Sequence, residues 1–509
     1  MTAAPGAERL AESVTVEVPR ADLRETHTGV VVLVGDRAYK AKKPVLTDFL
    51  DFRTVEQRER ACVREVELNS RLSPDSYLGV AHLTGPDGGA AEPVIVMRRY
   101  RDQDRLASMV SRGCDDEVRV ALDAVARLLA RFHEKAERSR EIDTQGKLRA
   151  VDGRWRENLL EMNWHAGRSV LEVTFDSLAR IQRLASEFTS GRAPLFGRRV
   201  KTGCIVDGHA DLLADDIFFR NGKLAVLDCL EFDDKLRYVD RIDDAACLAM
   251  DLEFLGRKDL GDYFLQRYAE HSGDDAPSSL RNFYIAYRAV VRAKVGCVRL
   301  SQGKFDAAEG VARHLTIAAQ HLEQGSVRLA LVGGNPGTGK STLAGALAER
   351  VGAQVISTDD VRHELRESQV ITGESGALEA GLYSARNTRA VYDTVLGRAR
   401  ELLGNGQSVI LDGTWRDPHL RASARQLATE TLSALVELRC VATPDVAADR
   451  IATRRPGASE VTPAIAAALA CRDSDWDTAH VVDTSRLLEH SAETAQEVWR
   501  RSIYAPGLR

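Results

Sequence analysis

The chain has 509 residues, a formal charge of −5 and a 44% hydrophobic content, too long for one ordinary core and too evenly charged for a general nucleic-acid binder, so a small-molecule partner is expected. Eight cysteines stand apart without a C-x-x-C pair, which argues against a zinc site or disulfide framework and for reduced thiols in a cytoplasmic protein. No leader pattern opens the chain and no run of about 18 apolar residues follows, so neither a signal peptide nor a membrane span is expected.

Residues 29–34 and 37–43 read as two strands joined by Gly35-Asp36, the first rich in β-branched residues and the second alternating. Lys40 and Lys42 share one face of the second strand. Either could pair a nucleotide's phosphates if a helical carboxylate held it, and a helix over 58–72 offers Glu65 or Glu67. Residues 93–100 form an apolar strand that ends in polar residues. A helical period over 118–135 faces a core, with His133 structural. The polar stretch 143–168, with Trp155 and Trp164, reads as an acceptor-site insertion or an amphipathic surface segment. A helix over 175–188 is broken by 191–197.

A chemical cluster begins at His209-Ala-Asp211 and continues through Asp216, an Asn221-Gly222 turn and Asp228. The turn suits a hairpin that carries Asp216 and Asp228 to the same end. A loop carboxylate can orient an acceptor hydroxyl and take its proton, while a second one after the next strand holds Mg²⁺ on ATP.

This arrangement resembles the aminoglycoside phosphotransferase-like kinases, whose catalytic loop reads H-x-D-x-x-x-x-N. The resemblance spans most of residues 20–320 and is specific around 209–243. It implies an α+β, bilobed protein-kinase-like fold, with Asp211 catalytic, Asp228 and Asp216 on the metal, and Lys40 pairing the phosphates with Glu65 as partner. Lys42 remains a rival. Two positions depart from the pattern: Ala210 stands where Gly is common, and Asp216 replaces the metal-binding Asn. The extra negative charge beside Asp228 puts nucleotide binding by this lobe in question, so a degenerate kinase is the alternative. Asp233–Asp251 is acidic, residues 284–300 form a basic-faced helix, and another helix runs from 305 to 322. A boundary at Gln324–Ser326 separates domains 1–325 and 326–509.

Beyond it, Val327–Val332 is a strand running into Gly334-Asn335-Pro336-Gly337-Thr338-Gly339-Lys340-Ser341-Thr342. This fits G-x-x-x-x-G-K-[ST], in which backbone N–H groups cradle phosphates, Lys340 neutralises the β/γ-phosphates and Ser341 holds Mg²⁺. A second strand ends at Asp359, three residues before Arg362, offering a base for a hydroxyl and a cation to align it. A third ends at Asp412, a candidate for water-mediated metal contact or acceptor binding. Arg450, Arg454 and Arg455 approach a Pro-Gly break, as in a lid that supplies positive charge to the transferring phosphoryl, with Arg454 the expected catalytic one.

In this order the motifs resemble the small P-loop kinases, including polynucleotide kinases, gluconate kinases and zeta-toxin-like enzymes, and imply an α/β domain with a parallel sheet. The tandem resembles a group of bacterial two-domain predicted kinases. The expected activity is ATP- and Mg²⁺-dependent transfer of a γ-phosphoryl group to a hydroxyl of a small molecule, at two potential sites. The alternative is one active P-loop kinase, with a nucleic-acid or nucleotide-sugar hydroxyl open as acceptor, regulated by a nucleotide-sensing pseudokinase lobe.

Overall fold

The computed structural model describes residues 21–25, 29–46, 51–85, 88–89, 91–169, 175–374, 380–453 and 476–504. The chain divides into two compact units, Met1–Leu128 with Asp211–Asp234, and Leu129–Ala210 with Lys235–Arg509. The position 325/326 read from sequence falls inside the second unit, in the link between the helix Ala307–Gly325 and the strand Arg328–Gly334.

The first unit is α+β, as expected for the N-terminal region. Its five-stranded antiparallel sheet runs, in spatial order, Ala21–Glu25, Gly29–Val34, Arg37–Lys42, Glu92–Arg98 and Tyr77–Leu83. Gly35 takes φ +56° in the tight turn between the second and third of these, a conformation that favours glycine. One helix, Val55–Ser70, packs its Cys62 against Ala38, Tyr77, Ile95 and Met97. It starts three residues before the expected Arg58 because Thr54 and Gln57 form a capping box that satisfies the first backbone donors. A second hairpin pairs Ile217–Arg220 with Lys223–Val226. Asn221 and Gly222 take φ +51° and +75° at its turn, the left-handed pair that a two-residue hairpin needs.

The second unit contains a helical region and a parallel sheet. Within 143–168, Val151, Trp155, Leu159 and Met162 are buried along the helix Leu148–Ser169, at spacings that share one face, so the described part of this stretch is amphipathic with its apolar face in a core. Trp155 packs on Phe283 and Tyr287 of the helix Ser278–Ser301. The polar residues between had masked that stripe. The expected break at 191–197 is also shorter than the sequence suggests. The chain leaves helix only at Arg192, and Pro194 in the first turn starts the helix Ala193–Lys201 with Gly197 inside it.

The sheet of the second unit has five parallel strands in the order Gln354–Ser357, Val409–Asp412, Arg328–Gly334, Ala434–Val441 and His480–Asp483. The parallel α/β fold read from sequence is therefore present. Leu343 and Leu347 pack with Val332, Ile410, Val436 and Trp499 in one core. Register aligns Val332 with Asp412 and Asp412 with Ser357, so the phosphate-loop entrance, Asp412 and the start of the helix carrying Asp359 lie at the same carboxyl edge. Ligands of open parallel sheets bind at this edge. Among the described residues no helix is long and apolar enough to cross a membrane.

Candidate active sites

In the first unit the strand Arg37–Lys42 and the helix Val55–Ser70 bring both lysines to one carboxylate. Lys40 Nζ lies 2.8 Å from Glu65 Oε1 and 2.7 Å from Asp228 Oδ1. Lys42 Nζ pairs with Glu65 Oε2 and with Glu231 Oε1, each at 2.5 Å. The two lysines thus divide Glu65, and only Lys40 of the pair also reaches Asp228 among the ion pairs described. Burial works against the Lys40 charge, but Asp228 and Glu65 outweigh it and hold the ammonium well above its usual range. Glu67 instead pairs with Arg64 at 3.4 Å on the outer face.

Asp216 ends the short helical turn Ala214–Asp216 and accepts Leu227 N–H at 2.9 Å through its own carbonyl. Burial, then the charges of Asp228 and Asp211, push its carboxyl well above the usual carboxylate range. Asp228 sits at φ +63°, with its N–H 3.2 Å from Tyr77 Oη, a backbone state uncommon outside glycine and found at functional sites. The oxygen-only pair of Asp216 and Asp228 suits Mg²⁺, and the upward push on Asp216 shows a site where added positive charge would be favourable.

In the second unit His209 N–H and Ala210 N–H donate to the two oxygens of Asp244 at 2.7 and 2.8 Å. Ala210 adopts φ +70°, which accounts for the glycine usual there in the family pattern. His133 places Nδ1 2.8 Å from Tyr268 Oη and Nε2 3.0 Å from Asp244 Oδ2, the structural role expected of it. Asp243 pairs with Arg288, whose Nε lies 2.7 Å from its Oδ1.

The phosphate loop fits an anion tightly. Gly334, Gly337 and Gly339 have φ +136°, +80° and +75°. A Cβ on Gly334 would lie 2.4 Å from the Cys440 carbonyl oxygen, and one on Gly337 2.5 Å from that of Ala447. The helix Lys340–Val351 begins directly after this turn, so its first N–H groups face the loop. Lys340 Nζ folds back to the Asn335 carbonyl at 3.0 Å, and Thr338 Oγ1 donates to the same oxygen at 2.7 Å. Asp412 is buried, accepts a hydrogen bond from Ser341, and is pushed up first by its burial. Its Oδ1 has no hydrogen-bond partner among the described residues. A buried orphan oxygen beside Ser341 fits a hydrated cation.

Asp359 lies in the first turn of the helix Thr358–Glu367, but Ser357 is the cap, accepting from Asp359 N–H and Asp360 N–H. The Asp359 side chain is therefore not consumed by capping. Its Oδ1 accepts from Arg362 Nη1 at 3.1 Å, and that guanidinium lies 4.6 Å from the Tyr383 ring centroid. Arg450 Nη2 donates to Thr484 O at 2.7 Å. Arg454 and Arg455 lie outside the described residues, as does the rest of the Pro-Gly segment. A cavity of about 360 Å³ adjoins the loop, lined by Gly339, Lys340, Thr342, Arg450, Thr484 and Arg486. The sequence reading missed Thr484 and Arg486, although they follow the strand His480–Asp483 at the ligand edge. That strand is four residues long and polar at both ends, too weak a signal alone.

The AAA domain family matches residues 329–470. An uncharacterized protein of Mycobacterium tuberculosis (strain ATCC 25618 / H37Rv) is 65% identical over 485 residues, covering 95% of this chain and 96% of its own. Among solved structures, a gluconokinase from Sinorhizobium meliloti is 16% identical, covering 35% of this chain and 94% of its own at a TM-score of 0.28. A choline/ethanolamine kinase family protein from Mesorhizobium loti is 15% identical, covering 60% and 94%, at a TM-score of 0.35.

Proposed function

The chain belongs to the same family as the Mycobacterium tuberculosis protein, and from the two sites just described we propose that it is an ATP-dependent phosphotransferase acting on a hydroxyl of a small molecule. The observation that carries this reading is the phosphate loop with Asp359 and Asp412 along one sheet edge. An ATPase needs the loop, but a carboxylate at the position of Asp359, not consumed by capping and held by Arg362, suits acceptance of a proton from an acceptor.

In the C-terminal site the glycine turn and helix start bind the phosphate chain, and Lys340 places a fixed cation on it. Arg450, Thr484 and Arg486 flank the nucleoside. Ser341 and Asp412 would hold magnesium, which when bound supplies charge neutralisation on the β- and γ-phosphates. Asp359 orients the acceptor hydroxyl and takes its proton. The acceptor oxygen bonds to the γ-phosphorus, the bond from that phosphorus to the β–γ bridging oxygen breaks, and ADP leaves with the electron pair. Arg362, braced by Tyr383, steadies Asp359.

In the N-terminal site Lys40 pairs the phosphates with Glu65 behind it, and Asp228 with Asp216 would hold magnesium. Asp211 is the acceptor-side carboxylate. Lys42, the more enclosed lysine and tied to Glu231, serves as a structural counter-charge.

The test is ATP consumption by the full-length protein with a panel of hydroxyl compounds and mass detection of phosphorylated products, for wild type, Lys340→Ala and Asp211→Asn. Product formation lost wholly in Lys340→Ala assigns transfer to the C-terminal site, and loss of a distinct product in Asp211→Asn assigns a second activity to the N-terminal one. ATP hydrolysis with no phosphorylated product from any acceptor would refute the reading.

A further inference from the structure

Asp228 stands on a turn whose backbone is held by side chains that the chemistry above does not use. Four consecutive N–H groups lead through it from the end of the strand Lys223–Val226. Leu227 N–H reaches the Asp216 carbonyl at 2.9 Å. The other three are met by side chains: Val226 N–H donates to Ser73 Oγ at 2.7 Å, Asp228 N–H to Tyr77 Oη at 3.2 Å and Cys229 N–H to Asn69 Oδ1 at 2.8 Å. Ser73 Oγ also donates to Val226 O at 2.9 Å. Each of these backbone donors therefore has a defined acceptor, and together they hold Asp228 at φ +63°, a state costly to a residue with a side chain and kept only where the surroundings enforce it.

The three side chains come from one short stretch, four residues apart. Asn69 lies in the last turn of the helix Val55–Ser70, Ser73 follows with its N–H on the Asn69 carbonyl at 2.9 Å, and Tyr77 opens the strand Tyr77–Leu83. The pairing register of that strand shifts between Tyr77 and Gly79, and Gly79 takes φ +132°, a bulge of the kind that re-aims a side chain beside a site. All three side chains are buried. Apolar residues would fill the same space with no bonds to satisfy, so the polar groups serve the turn that they bond.

Asn69 also looks back along its own helix. Its Nδ2 donates to Glu65 O at 2.8 Å, so a donor bond at one end and an acceptor bond at the other fix the orientation of the amide. The contacts close a ring, from Lys40 to the Glu65 carboxylate, from the Glu65 backbone to Asn69, from Asn69 to Cys229, and from Asp228 back to Lys40. A shift of the helix thus reaches the Asp228 turn through one amide. We propose that Asn69, Ser73 and Tyr77 are positioning residues of the N-terminal site. They fix the turn so that the Asp228 carboxylate is set for magnesium, and Asn69 makes that carboxylate and the Lys40–Glu65 pair respond as one. Phosphates at Lys40 and magnesium at Asp228 then bind with positive coupling, part of which Asn69 carries. The role rests on the reading of this site as a binder of Mg·ATP, whereas the bonds of the turn are independent of it.

Full-length protein carrying Gly337→Ala, which disables the C-terminal phosphate loop, is titrated calorimetrically with a non-hydrolysable ATP analogue in EDTA and at rising Mg²⁺. Asp228→Ala in the same background identifies the binding that belongs to the N-terminal site. Ser73→Ala and Tyr77→Phe each remove one oxygen. Each should raise the Mg²⁺ concentration that gives half of the metal-dependent gain in affinity by about threefold to tenfold, with affinity in EDTA unchanged. Asn69→Leu should do the same and also shrink the gain itself by about tenfold, and the two single-oxygen variants decide the matter if it does not fold. A loss of affinity equal with and without Mg²⁺ marks a merely structural role and overturns the proposal. So does a Mg²⁺ half-point that none of the variants moves, and in both cases the site remains a binder of Mg·ATP. Absence of any Asp228-dependent nucleotide binding in the background protein overturns that reading and the positioning role with it.

Discussion

Lys340 and Asp359 separate two contributions to one reaction. Removing the Lys340 ammonium takes a fixed cation from the phosphate loop, so Lys340→Ala should lower C-terminal turnover by about a hundredfold or more and weaken nucleotide binding. Asp359→Asn keeps size and hydrogen bonding but cannot take a proton. It should cut transfer by about a hundredfold to ten-thousandfold with nucleotide affinity nearly unchanged, and an equal loss in calorimetric nucleotide binding would make Asp359 a metal or nucleotide residue instead. Asp216 gives a pH test. Its folded carboxyl is raised above the ordinary value by burial and by Asp228 and Asp211, so the native state holds the proton more tightly than the unfolded chain. Stability from this group is present at low pH and lost as pH rises from the unfolded carboxylate range through the folded value. Asp216→Asn lacks that loss. Its melting temperature should exceed wild type at pH 8 and approach it near pH 4, and a constant difference across that range would contradict the assignment.

Two elements can be tested for fit. The phosphate loop and the helix Pro444–Ala452 meet so closely that a Cβ on Gly337 would strike the Ala447 carbonyl oxygen at 2.5 Å, at a φ of +80°. Gly337→Ala should therefore abolish nucleotide binding at the C-terminal site by displacing the loop, while far-ultraviolet circular dichroism of the full chain stays unchanged. The helix Ala307–Gly325 carries His314, stacked at 4.0 Å on Phe254 with Nδ1 2.7 Å from Gly310 O. Burial moves this imidazole from its usual 6.5 down to about 4. The unfolded chain binds the proton first, so stability is complete above pH 6.5 and falls as the pH drops toward 4. The loss should be about 2–3 kcal/mol by chemical denaturation, and His314→Gln should flatten it by at least half.

Within the second unit, Arg192 ties the helical region to the parallel sheet domain. Its guanidinium is buried and bonds the carbonyl oxygens of Leu403, Thr431 and Leu432 and the Ser433 hydroxyl, with no carboxylate among these partners. Burial pulls its pKa to about 9, still charged at neutral pH. Arg192→Ala leaves several carbonyls without a donor and should destabilise the second unit by about 3–5 kcal/mol. Limited proteolysis should then cut near residue 192 or 432 first, and wild-type resistance at both would show that the tie carries no load.

The sequence by itself determined the elements whose chemistry is local. The phosphate loop, the Asn221-Gly222 hairpin and the strand-then-Asp pattern at Asp359 and Asp412 were legible because backbone sterics and strand ends dictate them within a few residues. The parallel α/β architecture followed from the same periodicity. The buried stripe through Val151, Trp155, Leu159 and Met162 was hidden, because charged residues on the opposite face dominate the average over 143–168. Tertiary structure alone decided how Lys40 and Lys42 divide Glu65, since two lysines on one strand face are equivalent until a helix and a hairpin arrive from 25 and 188 residues away from Lys40. It also decided the Arg192 tie, since the carbonyl oxygens of Leu403, Thr431 and Leu432 meet one guanidinium only once the helical region packs on the sheet domain.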